Sequence, residues 1–222
     1  MSFQQDPKDS IIPLTREEKT LICGLDEAGR GPLAGPVTAA AVILPGNFPV
    51  DILKDSKKLS AIAREKAALT IYSGVLAWGI GWASPSEIDE INILQASLLA
   101  MKRAFDSLHW EKGSGNNTHR LPIRAIADGL YTPDITVPCE ALVKADDSIP
   151  AVKAASILAK TARDRLMEYY SIFYPQYGYE KHKGYPTKAH REAIRTFGIS
   201  PIQRMSFSWS VPTKNLSSNA TN

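Results

Sequence analysis

The chain has little of several things that mark whole classes of protein. Among 222 residues there are two cysteines, Cys23 and Cys139. They lie far apart in no metal or redox spacing, which excludes a cysteine-ligated zinc site and a disulfide framework. Cys23 sits in an apolar run and reads as a buried free thiol, so a reducing, intracellular setting is expected. No stretch reaches the roughly 18 apolar residues of a membrane span. The opening MSFQQDPKDS is polar, without the apolar core of a signal peptide. Neither an internal repeat nor a strong internal linker is present. Asn-x-Ser/Thr triplets begin at Asn116, Asn215 and Asn219, in polar segments where a cytosolic chain makes no use of them. Charge of one sign is also scarce. Lys and Arg number 26 against 23 Asp and Glu, a net charge of +3. That mild excess is compatible with a polyanionic partner without defining one.

What is present suits one globular domain with a sizeable core. Hydrophobic residues make up 44% and charged residues 22%, ordinary proportions for such a fold. Residues 1–18 read as an extension. Thr20 to Leu25 is a short apolar run ended by Asp26-Glu27 and then glycines, which fits a strand better than a helix. Val37 to Leu44, closed by Pro45-Gly46, reads as its hairpin partner through AGRGPLAGP. A helix is expected over Ala61 to Ile71 and a strand over Val75 to Ala83. Ser84-Pro85-Ser86-Glu87 has the form of a helix start, and a long helix follows over Ile93 to Leu108. EKGSGNNTHR (111–120) is a polar loop. Short strands are expected over Ile123 to Ala127, ending on Asp128, and over Ile135 to Val143, leading to Lys144-Ala145-Asp146-Asp147.

Pro150 opens a helix to about Tyr174. Its apolar stripe is Val152, Ala155, Ala159, Ala162, Leu166, Tyr169 and Phe173, with Lys153, Lys160 and Arg163 on the other face. A last helix, Thr187 to about Phe197, precedes the polar segment Pro212 to Asn222, read as disordered. Strands in the first half and helices in the second describe one α/β domain with a helical C-terminal part.

Three acidic sites, Asp26-Glu27, Asp128 and Asp146, each directly follow a short apolar segment. If those segments are neighbouring strands, four carboxylates gather at one sheet edge. Each like-charged pair about 4 Å apart costs roughly 1 kcal/mol in water and about 4 kcal/mol at an effective dielectric near 20. Divalent cations relieve that repulsion, and an all-oxygen donor set suits Mg²⁺ or Mn²⁺ rather than zinc. Two such ions about 3.5–4 Å apart activate a water and stabilise the leaving oxygen at a phosphodiester. Asp146 also precedes a predicted helix N-terminus, whose dipole favours its ionised form. Taken singly, each carboxylate reads more simply as a loop acid that caps a helix or faces water.

The segment GLDEAGRGPLAGPVTAAAVILP (24–45) resembles the opening signature of ribonuclease HII, the type 2 ribonuclease H. The similarity continues through DSKKLS (55–60), INILQASLLAM (91–101), ADG (127–129), KADDSIPAVKAASILAKTARDRLM (144–167), YPQYGYEKHKGYPTKAH (174–190) and PIQRMSF (201–207). The resemblance implies a ribonuclease H-like fold, a mixed five-stranded sheet with flanking helices and a helical C-terminal region. Residues 1–18 would then be an extension, 19–210 the catalytic domain and 211–222 a disordered tail.

It also implies hydrolysis of RNA in RNA–DNA hybrids and cutting 5′ to ribonucleotides embedded in DNA, in ribonucleotide removal during replication and repair. By motif, Asp26, Glu27, Asp128 and Asp146 correspond to the metal-binding, catalytic carboxylates, with two Mg²⁺ or Mn²⁺ ions when substrate is bound; Asp146 is assigned by its distance before Pro150, with its neighbour Asp147 as the alternative. Gly29-Arg30-Gly31 corresponds to the junction-sensing loop, where glycines let the backbone approach a 2′-hydroxyl and Arg30 adds a phosphate contact. Tyr185 matches the tyrosine that packs on the deoxyribose after the ribonucleotide. Lys57, Lys58, Lys160, Lys181 and Lys183 are candidates for phosphate contact, while His182 and His190 receive no catalytic role. The expected partner is nucleic acid, and the expected state a cytoplasmic monomer.

Three positions depart from the family pattern. Ala145 stands where glycine commonly precedes the fourth carboxylate, Leu130 where Asn often follows Asp-Gly, and Gln203 where histidine is frequent. Type 3 relatives carry a different glycine loop, so GRG favours type 2.

Overall fold

A computed structural model describes residues 20–53, 59–110 and 123–208. The extension 1–18, Lys57, Lys58, the loop 111–120, the three Asn-x-Ser/Thr triplets and the tail 211–222 lie outside the described residues.

Two strands open the fold, β1 (Leu21–Ala28) and β2 (Val37–Ile43), paired antiparallel as the hairpin reading expects. Helix α1 (Ala61–Gly74) and strand β3 (Ala77–Ala83) follow, then α2 (Pro85–Asp106) and a two-residue strand β4 (His109–Trp110). Strands β5 (Ile123–Asp128) and β6 (Cys139–Leu142) complete the sheet. Its order is β4-β3-β2-β1-β5-β6, with β1, β5 and β6 parallel. The expected five strands are therefore present, with β4 as a short sixth at the edge. β6 is shorter than the apolar run 135–143 suggests. Pro133 and Pro138 lack the N–H a ladder needs, yet Ile135 and Val137 still pack against the core.

Beyond the sheet come α3 (Ala145–Ser148), α4 (Pro150–Phe173), α5 (Tyr179–His182) and α6 (Lys188–Phe197). The side chains of Ser84 and Thr187 cap α2 and α6. At Ser84 the capping box is complete, with Glu87 reaching back to the Ser84 amide. α2 is two helical pieces joined at Asn92 (φ 68°, ψ 166°). The Asn92 side chain accepts from the amides of Leu94 and Gln95, so it starts the second piece where the sequence expected a helix from Ile93.

Strand alternation sorts the core into two layers. Cys23, Leu25, Ala39, Ala41, Ala125 and Ala127 pack under α2. Ala40 and Val42 face the other way, against α1 and the first half of α4. α4 lies on β1 at backbone distance. A Cβ built on Gly24 would stand 2.1 Å from the Ala151 carbonyl carbon and 2.2 Å from the Val152 nitrogen. Any side chain at position 24 would push the helix off the strand.

The α4 stripe needs one correction. Val152, Ala155 and Ala159 are buried, but Tyr169 and Phe173 are 55% and 57% exposed, and Arg163, expected on a solvent face, is 0% exposed. Past Ala159 the helix leaves the sheet and meets the 29–36 loop and the C-terminal segments. There Arg163, Asp164 and Met167 turn inward.

Candidate active site

β1 and β5 are parallel neighbours with Leu25 in register with Ala127, so Asp26 and Asp128 follow side by side. Leu25 and Ala127 point into the α2 layer, which places both aspartates on the opposite, α4 side. α3 brings in the third acid. It is held down by Ala145, buried among Ile126 and Val152, and by a 2.8 Å hydrogen bond from the Ala145 amide to Asp128 Oδ1. Oxygens of Asp26, Asp128 and Asp146 all lie within 4.8 Å of one another.

Two details differ from the sequence reading. Asp26 and Glu27 lie inside β1, not beyond its end, because the strand runs on to Ala28. Asp146 lies in the first turn of α3, after a left-handed Lys144 (φ 60°), rather than on a strand end.

Glu27 stays outside the group of three. As the next residue on β1 it takes the opposite face, where it meets Arg30 at 3.3 Å. There it lines a cleft of about 130 Å³ with Arg30, Leu94, Leu130 and Tyr131, which Asp128 borders from the end of β5. Its carboxyl is raised by burial, against the lowering pull of Arg30, and it still feels Asp128. Burial, then the Glu27 charge, hold the Asp26 carboxyl well above the usual carboxylate range, against a hydrogen bond from Ser156. A buried, mutually repelling set of oxygen donors is what a hard divalent cation relieves, so the residues present fit such an ion.

The 29–36 loop sits beside this cluster. Gly29 has φ 97°, and a Cβ there would lie 2.0 Å from Arg163 Nε, so no other residue fits. Arg30 and Gly31 are exposed. A Cβ at Gly31 would be 3.6 Å from Tyr185 Cε1, and Tyr185 is 40% exposed. The structure thus sets the loop and Tyr185 against each other.

The lysines differ among themselves. Lys160 Nζ stands 5.9 Å from the Tyr185 ring centroid and 2.6 Å from Asp164, which Arg64 also pairs at 2.6 Å. Burial lowers the Lys160 ammonium. Lys183 is paired with Glu168 at 2.7 Å, and Lys181 is exposed. Lys57 and Lys58 are outside the described residues.

Sequence reasoning missed the scaffold under the loop. Arg204 donates to the carbonyls of Gly29, Arg30 and Gly35, and Arg163 to those of Ala34, Pro36 and Lys183. Both guanidiniums are fully buried. Burial brings Arg163 down to about 10, and burial with the nearby Arg163 charge brings Arg204 to about 9. The one available signal was Arg204's place inside PIQRMSF. Gln203, beside it, is buried, and its amide nitrogen and oxygen have no partner among the described residues. Leu130 is 74% exposed at the cleft.

Acids on adjacent parallel strands of a mixed sheet, joined by a third from the next helix, define a nuclease of the ribonuclease H type. The family model for Ribonuclease HII matches residues 23–210. The chain belongs to the ribonuclease HII family, and is thus a ribonuclease H endonuclease. It is 60% identical over 193 residues to a Ribonuclease HII of Treponema denticola, covering 84% of this chain and 98% of that protein. It is 47% identical over 204 residues to one of Janthinobacterium, covering 92% and 91%. The crystal structure of ribonuclease H2 from Pyrococcus horikoshii superposes with a TM-score of 0.68 at 27% identity, covering 86% of this chain and 95% of that one. Enzymes of the ribonuclease H kind depend on divalent metal ions, and the acidic cluster here is of the matching kind. Among the described residues no helix is long and apolar enough to cross a membrane.

Proposed function

We propose that the chain cuts the RNA strand of RNA–DNA hybrids and cuts 5′ to single ribonucleotides embedded in duplex DNA, leaving 3′-hydroxyl and 5′-phosphate ends. Its role is ribonucleotide removal in DNA replication and repair, by a cytoplasmic monomer whose catalytic domain spans 19–210. The observation that carries this reading is the approach of three carboxylates within 4.8 Å, beside an exposed glycine loop and the half-exposed Tyr185.

Asp26, Asp128 and Asp146 would hold Mg²⁺ or Mn²⁺, with Glu27 joining from the cleft side. When bound, the ions supply Lewis-acid activation of water and charge neutralisation at the phosphodiester. The protein's own part is positioning. The Asp128 carboxylate fixes the start of α3 through the Ala145 amide, and Ser156 orients Asp26. The loop carbonyls are turned inward onto Arg163 and Arg204. That leaves the outer side of Gly29-Arg30-Gly31 for the ribose 2′-hydroxyl. Tyr185 offers an aromatic face that suits a deoxyribose and crowds a 2′-hydroxyl. Lys160, Lys183 and, outside the described residues, Lys57 supply phosphate contacts.

The test is a gel assay comparing a DNA duplex carrying one ribonucleotide with an all-DNA duplex, under Mg²⁺ and Mn²⁺ titration. Cutting only the first, on the 5′ side of the ribonucleotide, is expected. Equal cutting of all-DNA duplex would instead favour a resolvase-like nuclease on the same fold, and binding without cutting a hybrid-binding protein.

A further inference from the structure

The imidazoles of His182 and His190 stack with centroids 4.5 Å apart and planes 15° from parallel, yet neither enters the chemistry above. Each touches the turn that carries Tyr185. His182 Nδ1 accepts from the Gly184 amide at 3.2 Å. Its Nε2 therefore carries the proton, donated to the Tyr177 carbonyl at 2.8 Å. His190 stands 3.0 Å by Nδ1 from the Tyr185 carbonyl, an acceptor, so Nδ1 carries its proton. The His190 Nε2 is buried with no partner among the described residues, which a neutral ring tolerates and an imidazolium does not. Tyr179 closes the pair edge-on, 5.8 Å from His182 and 5.4 Å from His190.

The turn they grip is not relaxed. Lys183 has φ 51° and Gly184 φ 84°, both left-handed, a conformation that a lysine side chain disfavours. Arg163 and Leu33 hold the other side, through the carbonyls of Lys183 and Gly184. A strained turn persists only where its surroundings over-determine it. The two histidines supply that on the side away from the catalytic loop.

We infer that His182 and His190 are positioning residues for Tyr185: a neutral, oppositely protonated imidazole stack that fixes the 183–185 turn and so sets the discrimination between deoxyribose and ribose after the cut. The inference rests on the reading of Tyr185 as the residue that meets that sugar.

Kinetics on two substrates test it: a duplex with a single ribonucleotide, and a hybrid whose RNA strand is continuous. His190→Leu removes the donor to Tyr185, whereas His190→Asn keeps an N–H near Nδ1. His190→Leu is expected to lose about tenfold in kcat/KM on the single-ribonucleotide duplex, the scale of a displaced binding group. It should stay within about twofold on the continuous hybrid, and His190→Asn should recover most of the loss. Equal loss on both substrates, or none on either, overturns the inference. Wild-type discrimination in Tyr185→Ala overturns the underlying reading. Wild-type discrimination in His190→Leu beside an impaired Tyr185→Ala overturns this inference alone. Should His190→Leu fail to fold, nitrogen-15 imidazole spectra of the wild type decide: Nε2–H on His182 and Nδ1–H on His190 at neutral pH are expected. The reverse tautomers or an imidazolium in either ring sink it.

Discussion

Asp128 holds the segment that delivers Asp146: its Oδ1 accepts the Ala145 amide at 2.8 Å, one residue ahead of the next acid. One carboxylate therefore has two tasks, negative charge in the acidic cluster and a fixed place for its neighbour. The two are separable. Asp128→Asn keeps an acceptor for the amide and loses the charge, while Asp128→Ala loses both. Calorimetric titration with Mn²⁺ should show weaker binding in both variants. Only the alanine variant should also lose about 1–3 kcal/mol of stability, the cost of an abandoned buried donor.

Asp26→Asn should abolish cleavage while largely preserving substrate binding, and should stabilise the metal-free protein. Its folded-state pKa is raised, so the protonated form favours folding. That contribution is full below the unfolded pKa and is lost as pH rises through the folded one. Above the unfolded pKa, holding this carboxyl in its buried, acid-flanked place is a burden that asparagine removes. Thermal melts in chelator should show a higher Tm, by about 2–4 °C for each kcal/mol gained. Adding Mg²⁺ should narrow the gap by stabilising the wild type. Retained full activity in this variant would end the proposed mechanism.

Removing either buried arginine leaves three backbone carbonyls without a donor. Arg163→Met and Arg204→Met should each cost about 3–5 kcal/mol in denaturant unfolding, the scale of breaking a buried charged network. Arg204→Lys should recover little, because a single ammonium cannot span acceptors that a planar fork reaches together.

His190 gives the protein a pH signature. Burial depresses its folded-state pKa from 6.5 to about 4. The unfolded chain takes up the proton first, so this group's contribution is present above pH 6.5 and lost as pH falls towards 4. Stability measured across that range should fall less steeply in His190→Asn than in the wild type. Parallel slopes would show that the histidine titrates normally.

Much of this architecture is written in local signals. The β1–β2 hairpin, the Ser84 start of α2 and the Thr187 start of α6 come from runs of apolar residues closed by glycine, proline or a capping hydroxyl, whose effect reaches only a few residues. Asp26 and Asp128 were readable because each closes or interrupts such a run. The division of Asp26 from Glu27 follows from strand alternation, and reading the run as ending at Leu25 concealed it. Arg163 was out of reach. Helix periodicity gave it a solvent face, and what buries it are carbonyls at positions 34, 36 and 183, partners that no local pattern announces. The kink at Asn92 was half visible, as a helix expected to begin at Ile93.

Lys160 pairs with Asp164 and stands near Tyr185, so its share in substrate binding should be electrostatic and modest. Lys160→Gln should weaken binding to duplexes of any sequence alike. It should also lower the slope of log K against log salt by about 1, one phosphate contact's worth. An unchanged slope would assign Lys160 to Asp164 alone.

Gly24 gives the cluster a tolerance. Because strand and helix touch there main chain to main chain, the gap between Asp26 on β1 and Asp146 arriving from the α3–α4 side is set by a hydrogen atom where every other residue carries carbon. The spacing of the acidic cluster is thus gauged two residues away from Asp26. A single added methyl at that point, changing neither charge nor polarity, would act as a shim and open the jaws.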